Sequence, residues 1–253
     1  MDVLKVEHLF QGYGGLSVLA DISFSLGVGE RLAIIGPNGA GKTTLFNVLS
    51  GFTPPIAGRI HLLGTDVTNM PSHKRAALGL ARSFQINSLF SNLSLLNNVL
   101  LAIQGVQATR YKMMRPITAY RENLAKAREL LELVGLWEVR ESPIAALSHG
   151  QQRQVEIILA LASKPRLLLL DEPSAGLTTA ESVNLGNIVQ NLTGDTTVFF
   201  CAHDLDLVFS LAERVVVLYY GQIVARGTPG EIQVDPKVRE IYLGTEDQDA
   251  RVG

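Results

Sequence analysis

The sequence GPNGAGKTT, residues 36–44, decides the fold. It follows the apolar run Leu32–Ile35 and leads into Thr43–Ser50, a segment with a helical pattern that stops at Gly51. Glycine inside regular structure costs stability, so three glycines at this junction indicate that the main chain itself is needed there. The stretch fits the template G-x-x-x-x-G-K-[ST] between a strand and a helix, which predicts a loop that cradles phosphate groups.

The predicted loop offers phosphate oxygens several positive partners. Main-chain N–H groups turn inward where no Cβ blocks them, and the following helix adds the partial positive charge of its N-terminus. Lys42 reaches the β- and γ-phosphates of a nucleotide, and the Thr43 hydroxyl can bind Mg²⁺. The alternative is an accidental glycine-rich turn, and the strand and helix on either side argue against it. The residues predicted to contact the nucleotide here are Gly36, Pro37, Asn38, Gly39, Ala40, Gly41, Lys42, Thr43 and Thr44.

Two adjacent carboxylates follow a second apolar run in the sequence LLLLDEP, residues 167–173. The four leucines predict a fully buried parallel strand. Ligands of open α/β sheets bind at the carboxyl ends of the strands, so Asp171 and Glu172 are candidate site residues. We expect Asp171 to hold Mg²⁺ through its water shell and Glu172 to polarise the water that attacks the γ-phosphate. The alternative is an ordinary acidic turn before Pro173.

Composition limits the remaining possibilities. The 253 residues are 47% hydrophobic and 18% charged, which suits one large domain or one domain with an inserted subdomain. The formal net charge of −2 gives no basis for a nucleic-acid partner. A single cysteine, Cys201, excludes an intrachain disulfide framework and fits a reducing compartment. Since neither a signal peptide nor an apolar run of ~20 residues is found, we expect a soluble chain that can still dock on a membrane protein.

Strand-like and helical segments alternate along the chain as in an α/β protein with a parallel sheet. A mostly helical pattern, clearest in Thr118–Val134, interrupts the strands between residues 89 and 162. We therefore predict a core of residues 1–88 and 163–244, a helical subdomain of residues 89–162 and a polar tail of residues 245–253. The core is expected to include a small antiparallel side sheet and a terminal hairpin. The predicted strands are Val3–His8, Ile22–Leu26, Arg31–Ile35, Arg59–Leu63, Arg166–Leu170, Thr196–Ala202, Arg214–Tyr220 and Gln222–Ala225.

Further motifs resemble those of the ATP-binding-cassette (ABC) ATPases and occur in the family's order. LSHGQQRQVE, residues 147–156, is similar to the signature motif, LSGGQ followed by a helix. Gln85 in ARSFQ matches the Q-loop, His203 in FFCAHD the switch histidine, and Tyr13 in GYGG the aromatic residue that stacks on adenine. The match covers nearly the whole chain. It implies a single ABC nucleotide-binding domain of residues 1–253 with the P-loop NTPase (RecA-like) α/β fold, and an enzyme that hydrolyses ATP with Mg²⁺.

The resemblance also implies roles for residues outside the phosphate loop. Gln85 is expected to contact Mg²⁺ and the attacking water, and His203 to hydrogen-bond the γ-phosphate. Ser148 is a natural N-cap, and the helix end behind it is a second anion site. Because cassettes of the family dimerise head to tail, Ser148, Gly150 and Gln151 are implied to complete the ATP site of a partner. The ordinary alternatives are an exposed glutamine, a histidine that caps a strand end and a surface tyrosine.

Two positions depart from the family's pattern. His149 stands where the signature usually has glycine, and its imidazole crowds the approach to ATP while adding a pH-sensitive charge. Thr178 in AGLTTAE takes the position of the usual D-loop aspartate. Thr178 and Glu181 still predict a capping box, but the coupling of the D-loop to the partner's phosphate loop loses a carboxylate.

Finer features resemble one branch of the family. GLARSFQ, AGLTTAE, GQQRQVEI and IYLG are similar to the ATPases of importers for branched-chain and other hydrophobic amino acids. Urea and short-amide importers are very similar, and a lipopolysaccharide-export ATPase has a similar D-loop. The resemblance implies integral-membrane permease subunits, a second ABC ATPase subunit and, indirectly, a periplasmic or extracellular binding protein as partners. It also implies a cytoplasmic protein that is peripheral on the cytoplasmic face of the membrane.

Two rival classes remain from the sequence. One is an ABC ATPase that moves no solute, although such proteins usually carry two cassettes or large insertions. The other is a P-loop kinase or GTPase, which has no reason to carry a signature helix.

Overall fold

Two β-sheets organise the part of the chain that the computed structural model describes. It describes residues 2–83, 89–106, 121–192, 196–202 and 204–249, with the main chain alone for residues 243–249. The strands are β1 (Asp2–Tyr13), β2 (Leu16–Gly27), β3 (Arg31–Ile35), β4 (Ala57–Leu62), β5 (Thr65–Asp66), β6 (Leu80–Arg82), β7 (Leu167–Asp171), β8 (Thr197–Cys201), β9 (Arg214–Tyr219) and β10 (Gln222–Gly227).

The larger sheet brings the strands of the candidate site side by side. Its order is β10-β9-β3-β8-β7-β6, with every neighbouring pair parallel except the antiparallel hairpin of β9 and β10. The smaller sheet, β2-β1-β4-β5, is antiparallel throughout. The predicted α/β architecture, with a parallel core sheet and an antiparallel side sheet, is therefore confirmed. Strand β6 was not predicted, because it is only three residues long and lies at the edge of the sheet.

Helices cover the sheets and form most of the described residues between β6 and β7. They are α1 (Lys42–Leu49), α2 (Ser72–Ala77), α3 (Leu95–Gly105), α4 (Arg121–Leu133), α5 (His149–Leu161), α6 (Thr179–Gln190), α7 (Leu205–Leu211), α8 (Pro229–Val234) and α9 (Pro236–Asp249), with 3₁₀ turns at Trp137–Val139 and Ile144–Ala146. Residues 245–249, which the sequence assigned to a polar tail, continue α9. This helix is anchored because Val238 and Ile241 are buried.

The alternation of side chains along β3 divides the core into two layers. Leu32 and Ile34 face an apolar layer that includes α1 and the antiparallel sheet. Ala33 and Ile35 face the opposite layer, which includes residues of α5, α6 and α7. A strand buried on both faces is typical of a parallel sheet, and the same alternation continues in β7 and β8. The loop that follows β3 therefore leaves the sheet from its most buried region.

The helical segment has an apolar cluster of its own. Residues of α3, α4 and α5 pack together, and Ala127 and Leu131 carry the buried stripe of α4. Helix α5 belongs both to this cluster and to the layer beneath the parallel sheet, through Ile158 and Ile157 respectively. The division of the chain into a core and a helical subdomain at residues 89 and 162 stays a prediction. Within the described ranges, no helix has the length and apolar character needed to cross a membrane.

Candidate functional site

The loop between β3 and α1 has a main-chain shape that favours glycine. Gly36, Gly39 and Gly41 have φ angles of 154°, 77° and 108°, which side chains rarely tolerate. A Cβ on Gly36 would lie 2.1 Å from the carbonyl oxygen of Leu218, so the loop presses against β9 there. Gly41 is the N-cap of α1 and supplies no side-chain cap. The loop therefore presents main-chain N–H groups and a helix N-terminus to the same place.

Lys42 is a buried cation at the start of α1. The residue is 5% exposed, and its Nζ donates hydrogen bonds to the carbonyl oxygens of Gly36 (2.7 Å) and Pro37 (3.0 Å). Burial lowers the pKa of this ammonium group, while nearby acidic groups, including Glu172 and Asp171, oppose the shift. A charged amine that is held by carbonyl groups and has lost much of its water is well placed to bind an anion.

A cleft of about 220 Å³ joins the loop to one of the predicted carboxylates. Whole small-molecule sites usually measure about 300–1,000 Å³, so this cleft suits a phosphate chain better than an entire nucleotide. Val18 was missed from the sequence, because an ordinary valine in an antiparallel strand carries no signal for a ligand. The residues that line the cleft are Val18, Asn38, Gly39, Ala40, Gly41, Lys42, Thr43, Thr44 and Glu172.

Asp171 ends β7 and is held by two neighbouring side chains. Arg82 donates from Nη2 to Oδ2 at 2.7 Å, and the Cys201 thiol donates to Oδ1 at 3.1 Å. Arg82 also binds Asn47 on α1, which ties the edge strand β6 to the phosphate-loop helix. This arginine could not be identified from the sequence, because it lies 89 residues from Asp171 along the chain.

Glu172 lies next to Asp171 in a strained main-chain conformation. Its φ of 47° is uncommon for a residue with a side chain, and its N–H donates to the carbonyl oxygen of Cys201 at 3.0 Å. The carboxylate of Glu172 borders the cleft, whereas Thr43 is exposed on the same rim. The hydroxyl of Thr43 and the carboxylate of Asp171 are hard oxygen ligands of the kind that Mg²⁺ prefers, so their chemistry fits that ion. Asp171 does not line the cleft, and its two oxygens accept hydrogen bonds from Arg82 and Cys201.

Helix α5 begins with a complete capping box. Ser148 Oγ accepts from the Gln151 N–H at 3.2 Å, and Gln151 Oε1 accepts from the Ser148 N–H at 2.9 Å. The side chain of Gln151 is thus engaged in its own helix cap. A Cβ on Gly150 would lie 1.9 Å from Glu181 Oε1, so the carboxylate of Glu181 lies against the first turn of α5. None of Ser148, Gly150 and Gln151 lines the cleft beside Lys42.

The segment before α6 packs against the start of α5. Thr178 and Glu181 form the capping box that the sequence predicted, and hydrogen bonds from Thr178 lower the pKa of Glu181. A Cβ on Gly176 would lie 3.2 Å from Cε1 of His149, so the imidazole rests against this glycine. The first turn of α5 and the predicted D-loop therefore form one surface.

Arg153 connects α5 to the strand that carries the carboxylates. Its guanidinium donates to the main-chain carbonyl oxygens of Asp171 at 2.9 Å, Glu172 at 2.8 Å and Pro173 at 3.3 Å. It also donates to Glu156 Oε2 at 2.6 Å. This arginine was not singled out from the sequence, where it belongs to the helical stretch after the signature.

Three predicted site residues remain to be considered. Tyr13 ends β1, is 50% exposed and does not line the cleft. Gln85 and His203 lie outside the described residues, so their roles stay predictions. At the other end of the chain, Tyr242 on α9 makes a hydrogen bond with the main chain of Gly36. Burial raises the pKa of Tyr242 to about 12, and the bond to Gly36 opposes that shift.

Comparisons with known proteins agree with this arrangement. A family model described as ABC transporter matches residues 19–175. A second, described as Branched-chain amino acid ATP-binding cassette transporter, matches residues 222–248, the segment that contains Tyr242.

Individual relatives match over nearly their whole length. The high-affinity branched-chain amino acid transport ATP-binding protein BraF of Pseudomonas aeruginosa is 36% identical over 249 residues, which cover 96% of this chain and 98% of that protein. The lipopolysaccharide export system ATP-binding protein LptB of Acidithiobacillus ferridurans is 34% identical over 248 residues, covering 98% and 99%. A solved ATP-binding cassette of an ABC transporter has a TM-score of 0.85 at 31% identity, over 96% of this chain and 99% of that one.

Proposed function

The chain belongs to the ABC transporter family, and from this premise we propose that it binds and hydrolyses ATP to power the import of branched-chain or other hydrophobic amino acids. The observation that carries the enzymatic part is the cleft that joins Lys42, the glycine loop and Glu172. The amino-acid part is supported by the match of residues 222–248 to the branched-chain family model.

The phosphate chain of ATP is proposed to lie in the cleft along the loop of residues 36–44. Main-chain N–H groups and Lys42 Nζ bind its oxygens, and Lys42 exchanges its two carbonyl partners for phosphate. Thr43 and Asp171 would hold Mg²⁺, which supplies charge neutralisation to the phosphates. Tyr13 is proposed to stack on the adenine, whose place lies outside the small cleft.

Glu172 is proposed to act as the general base. Glu172 lines the cleft in which we place the phosphate chain, so its carboxylate can accept a proton from the attacking water. Gln85 is proposed to orient that water and His203 to bind the γ-phosphate. General-base catalysis typically contributes about 10²–10⁴-fold to a rate, so a glutamine at position 172 is expected to block turnover while leaving binding intact.

The capped start of α5 is proposed to bind the nucleotide of a second subunit. Ser148, Gly150 and the Gln151 main chain present a helix N-terminus, and they do not line the cleft of their own chain. The terminal phosphate then holds two cassettes together, and its removal lets them separate. The second cassette is either another copy of this chain or a related ATPase subunit.

The transporter is proposed to contain integral-membrane permease subunits, with this chain on the cytoplasmic face of the membrane. A periplasmic or extracellular binding protein would deliver the solute. A second candidate, lipopolysaccharide export, is favoured by the similarity to LptB over 98% of the chain. Urea and short amides are further candidate solutes for an importer of this type.

The experiment that tests the proposal combines ATPase and transport measurements. We would co-express the chain with the permease genes beside its own gene, purify the complex and reconstitute it in vesicles with its binding protein. ATP-dependent uptake of leucine, isoleucine or valine is expected, with Glu172→Gln inactive and Glu138→Gln, an exposed acidic residue, active. Uptake of urea alone would contradict the amino-acid assignment. The second candidate would be favoured if the neighbouring genes encoded lipopolysaccharide-export proteins and no amino-acid uptake were measured.

A dimerisation measurement tests the mechanism separately. Glu172→Gln is expected to form a dimer with ATP that light scattering detects and that disperses when nucleotide is removed. A monomer that hydrolyses ATP at the wild-type rate would contradict the two-subunit site.

A further inference from the structure

The end of strand β7 is held by an arginine from another element. Arg153, on α5, donates hydrogen bonds to the carbonyl oxygens of three successive residues: Asp171 at 2.9 Å, Glu172 at 2.8 Å and Pro173 at 3.3 Å. The guanidinium has five N–H donors in one rigid plane, so it can bind several fixed acceptors at once. These carbonyl groups follow the last buried residues of β7, and one belongs to the proposed general base.

The main chain of Glu172 needs support. A φ of 47° is uncommon for a residue with a side chain, and such strain persists only where the surroundings hold it. Its N–H is bound by the Cys201 carbonyl on the neighbouring strand, and its own carbonyl is bound by Arg153. Contacts on both sides of the strained residue thus fix the direction in which its carboxylate leaves the main chain.

Arg153 is itself held in place by a buried carboxylate. Its Nη1 donates to Glu156 Oε2 at 2.6 Å, and the two residues are 4% and 3% exposed. Burial raises the pKa of Glu156, and the adjacent Arg153 opposes that shift. A buried ion pair is seldom more stabilising than apolar packing of the same volume, so stability alone does not explain a charge here.

We propose that Arg153 is a positioning residue for ATP hydrolysis: it fixes the main chain of Glu172 so that the carboxylate faces the cleft, and it joins that carboxylate to α5. This role rests on the proposed function, because it presupposes that Glu172 activates water. Helix α5 begins at the Ser148 cap, one and a half turns before Arg153. When the N-terminus of α5 contacts the nucleotide of the second subunit, α5 can move. Through Arg153, this movement would shift Glu172 in the chain's own ATP site.

Three variants test the role of Arg153 in the purified transporter complex. Arg153→Gln is expected to lower kcat by about 10²-fold, since a displacement of about 1 Å in a catalytic group has that effect. The KM for ATP and the affinity for a fluorescent ATP analogue are expected to stay within about threefold, because the phosphate loop is untouched. Arg153→Lys keeps the charge but loses the planar fork, so we expect a loss of about tenfold. Arg128→Gln is the matched control, because Arg128 forms an exposed ion pair with Glu132 at 2.7 Å, close to the 2.6 Å between Arg153 and Glu156. This variant is expected to keep wild-type kinetics.

The outcomes separate this role from general loss of structure. A melting temperature is measured for each variant, and Glu156→Gln keeps the protein assessable if Arg153→Gln fails to fold. Glu156→Gln retains an acceptor for Arg153 but removes the carboxylate charge, so we expect a smaller loss of kcat than for Arg153→Lys. A kcat for Arg153→Gln equal to the Arg128→Gln control, or equal losses in kcat and in ATP affinity, would overturn the role and leave the proposed function standing. Absence of ATP hydrolysis by the wild-type complex would overturn both.

Discussion

Alanine at position 36 gives the sharpest test of the phosphate loop's geometry. A Cβ there would lie 2.1 Å from the Leu218 carbonyl oxygen, an approach that real Cβ atoms essentially never make. The φ of 154° also disfavours a side chain. Relief of the contact costs about 1–3 kcal/mol, and the main-chain strain adds about 1–3 kcal/mol. A total of about 4 kcal/mol is expected to lower the melting temperature by about 8–16 °C in a chain of this size.

The matched control is Gly64→Ala. Gly64 also has a positive φ of 77°, but a Cβ there would meet no atom within 4 Å. Only strain of about 1–2 kcal/mol applies, so the melting temperature is expected to fall by about 3–6 °C. The difference between the two variants isolates the contact between the loop and β9.

Thermal melts followed by circular dichroism, together with ATPase rates, measure both consequences. To relieve the contact in Gly36→Ala, the loop must move away from β9 by about 1 Å, which is enough to lower the ATPase rate by about 10²-fold. Gly64→Ala is expected to keep the wild-type rate. If Gly36→Ala melted within about 2 °C of Gly64→Ala and kept its activity, the loop would not be held against β9 as we describe.

Three further predictions concern buried polar groups. ATP at a concentration of 100 Kd is expected to stabilise the wild type by about 2.7 kcal/mol, and Lys42→Ala is expected to abolish this effect. If ATP raised the melting temperature of both proteins equally, the prediction would be wrong. Arg75 is 1% exposed and donates to four main-chain carbonyl groups. We expect Arg75→Met to lower the free energy of unfolding, measured in urea, by about 3 kcal/mol or more. Lys74 is exposed, so Lys74→Met is the control and is expected to have no measurable effect. Burial and the adjacent carboxylate raise the pKa of the Cys201 thiol, so iodoacetamide at pH 8 is expected to label it only after denaturation; labelling of the folded chain at the rate of a free thiol would refute that.

Much of the fold followed from short, strongly patterned segments. The glycine-rich residues 36–41, between an apolar run and a helix, have few structural solutions, and so do four leucines before two carboxylates. The structure places the two motifs at the ends of β3 and β7, which flank β8 in the same parallel sheet. The capping box of Thr178 and Glu181 was also predictable, because its partners are three residues apart. Local spacing carries this kind of information well.

Contacts between distant residues were not predictable from the pattern. Arg82 binds Asp171 across 89 residues, and Arg153 binds carbonyl groups that any residue possesses, so neither has a signature of its own. The lengths of β1 and β2 were underestimated because the added residues break the alternation of apolar and polar side chains: Gln11 is buried, whereas Phe10 and Leu16 are exposed. Register shifts between the two strands accompany this irregular pattern. The roles of Gln85 and His203 rest on the resemblance to the family alone.

Tyr242 lies in the segment that matches the branched-chain family model, and its hydrogen bond with Gly36 connects that segment to the phosphate loop. Residues 222–248 match the family model described as Branched-chain amino acid ATP-binding cassette transporter, whereas the glycine loop is shared by enzymes with very different tasks. Substitutions in the C-terminal helix α9 can therefore change how firmly the phosphate loop is held, while the residues that contact the nucleotide stay the same. Swapping α9 between related cassettes would then alter their ATPase rates without altering their motifs.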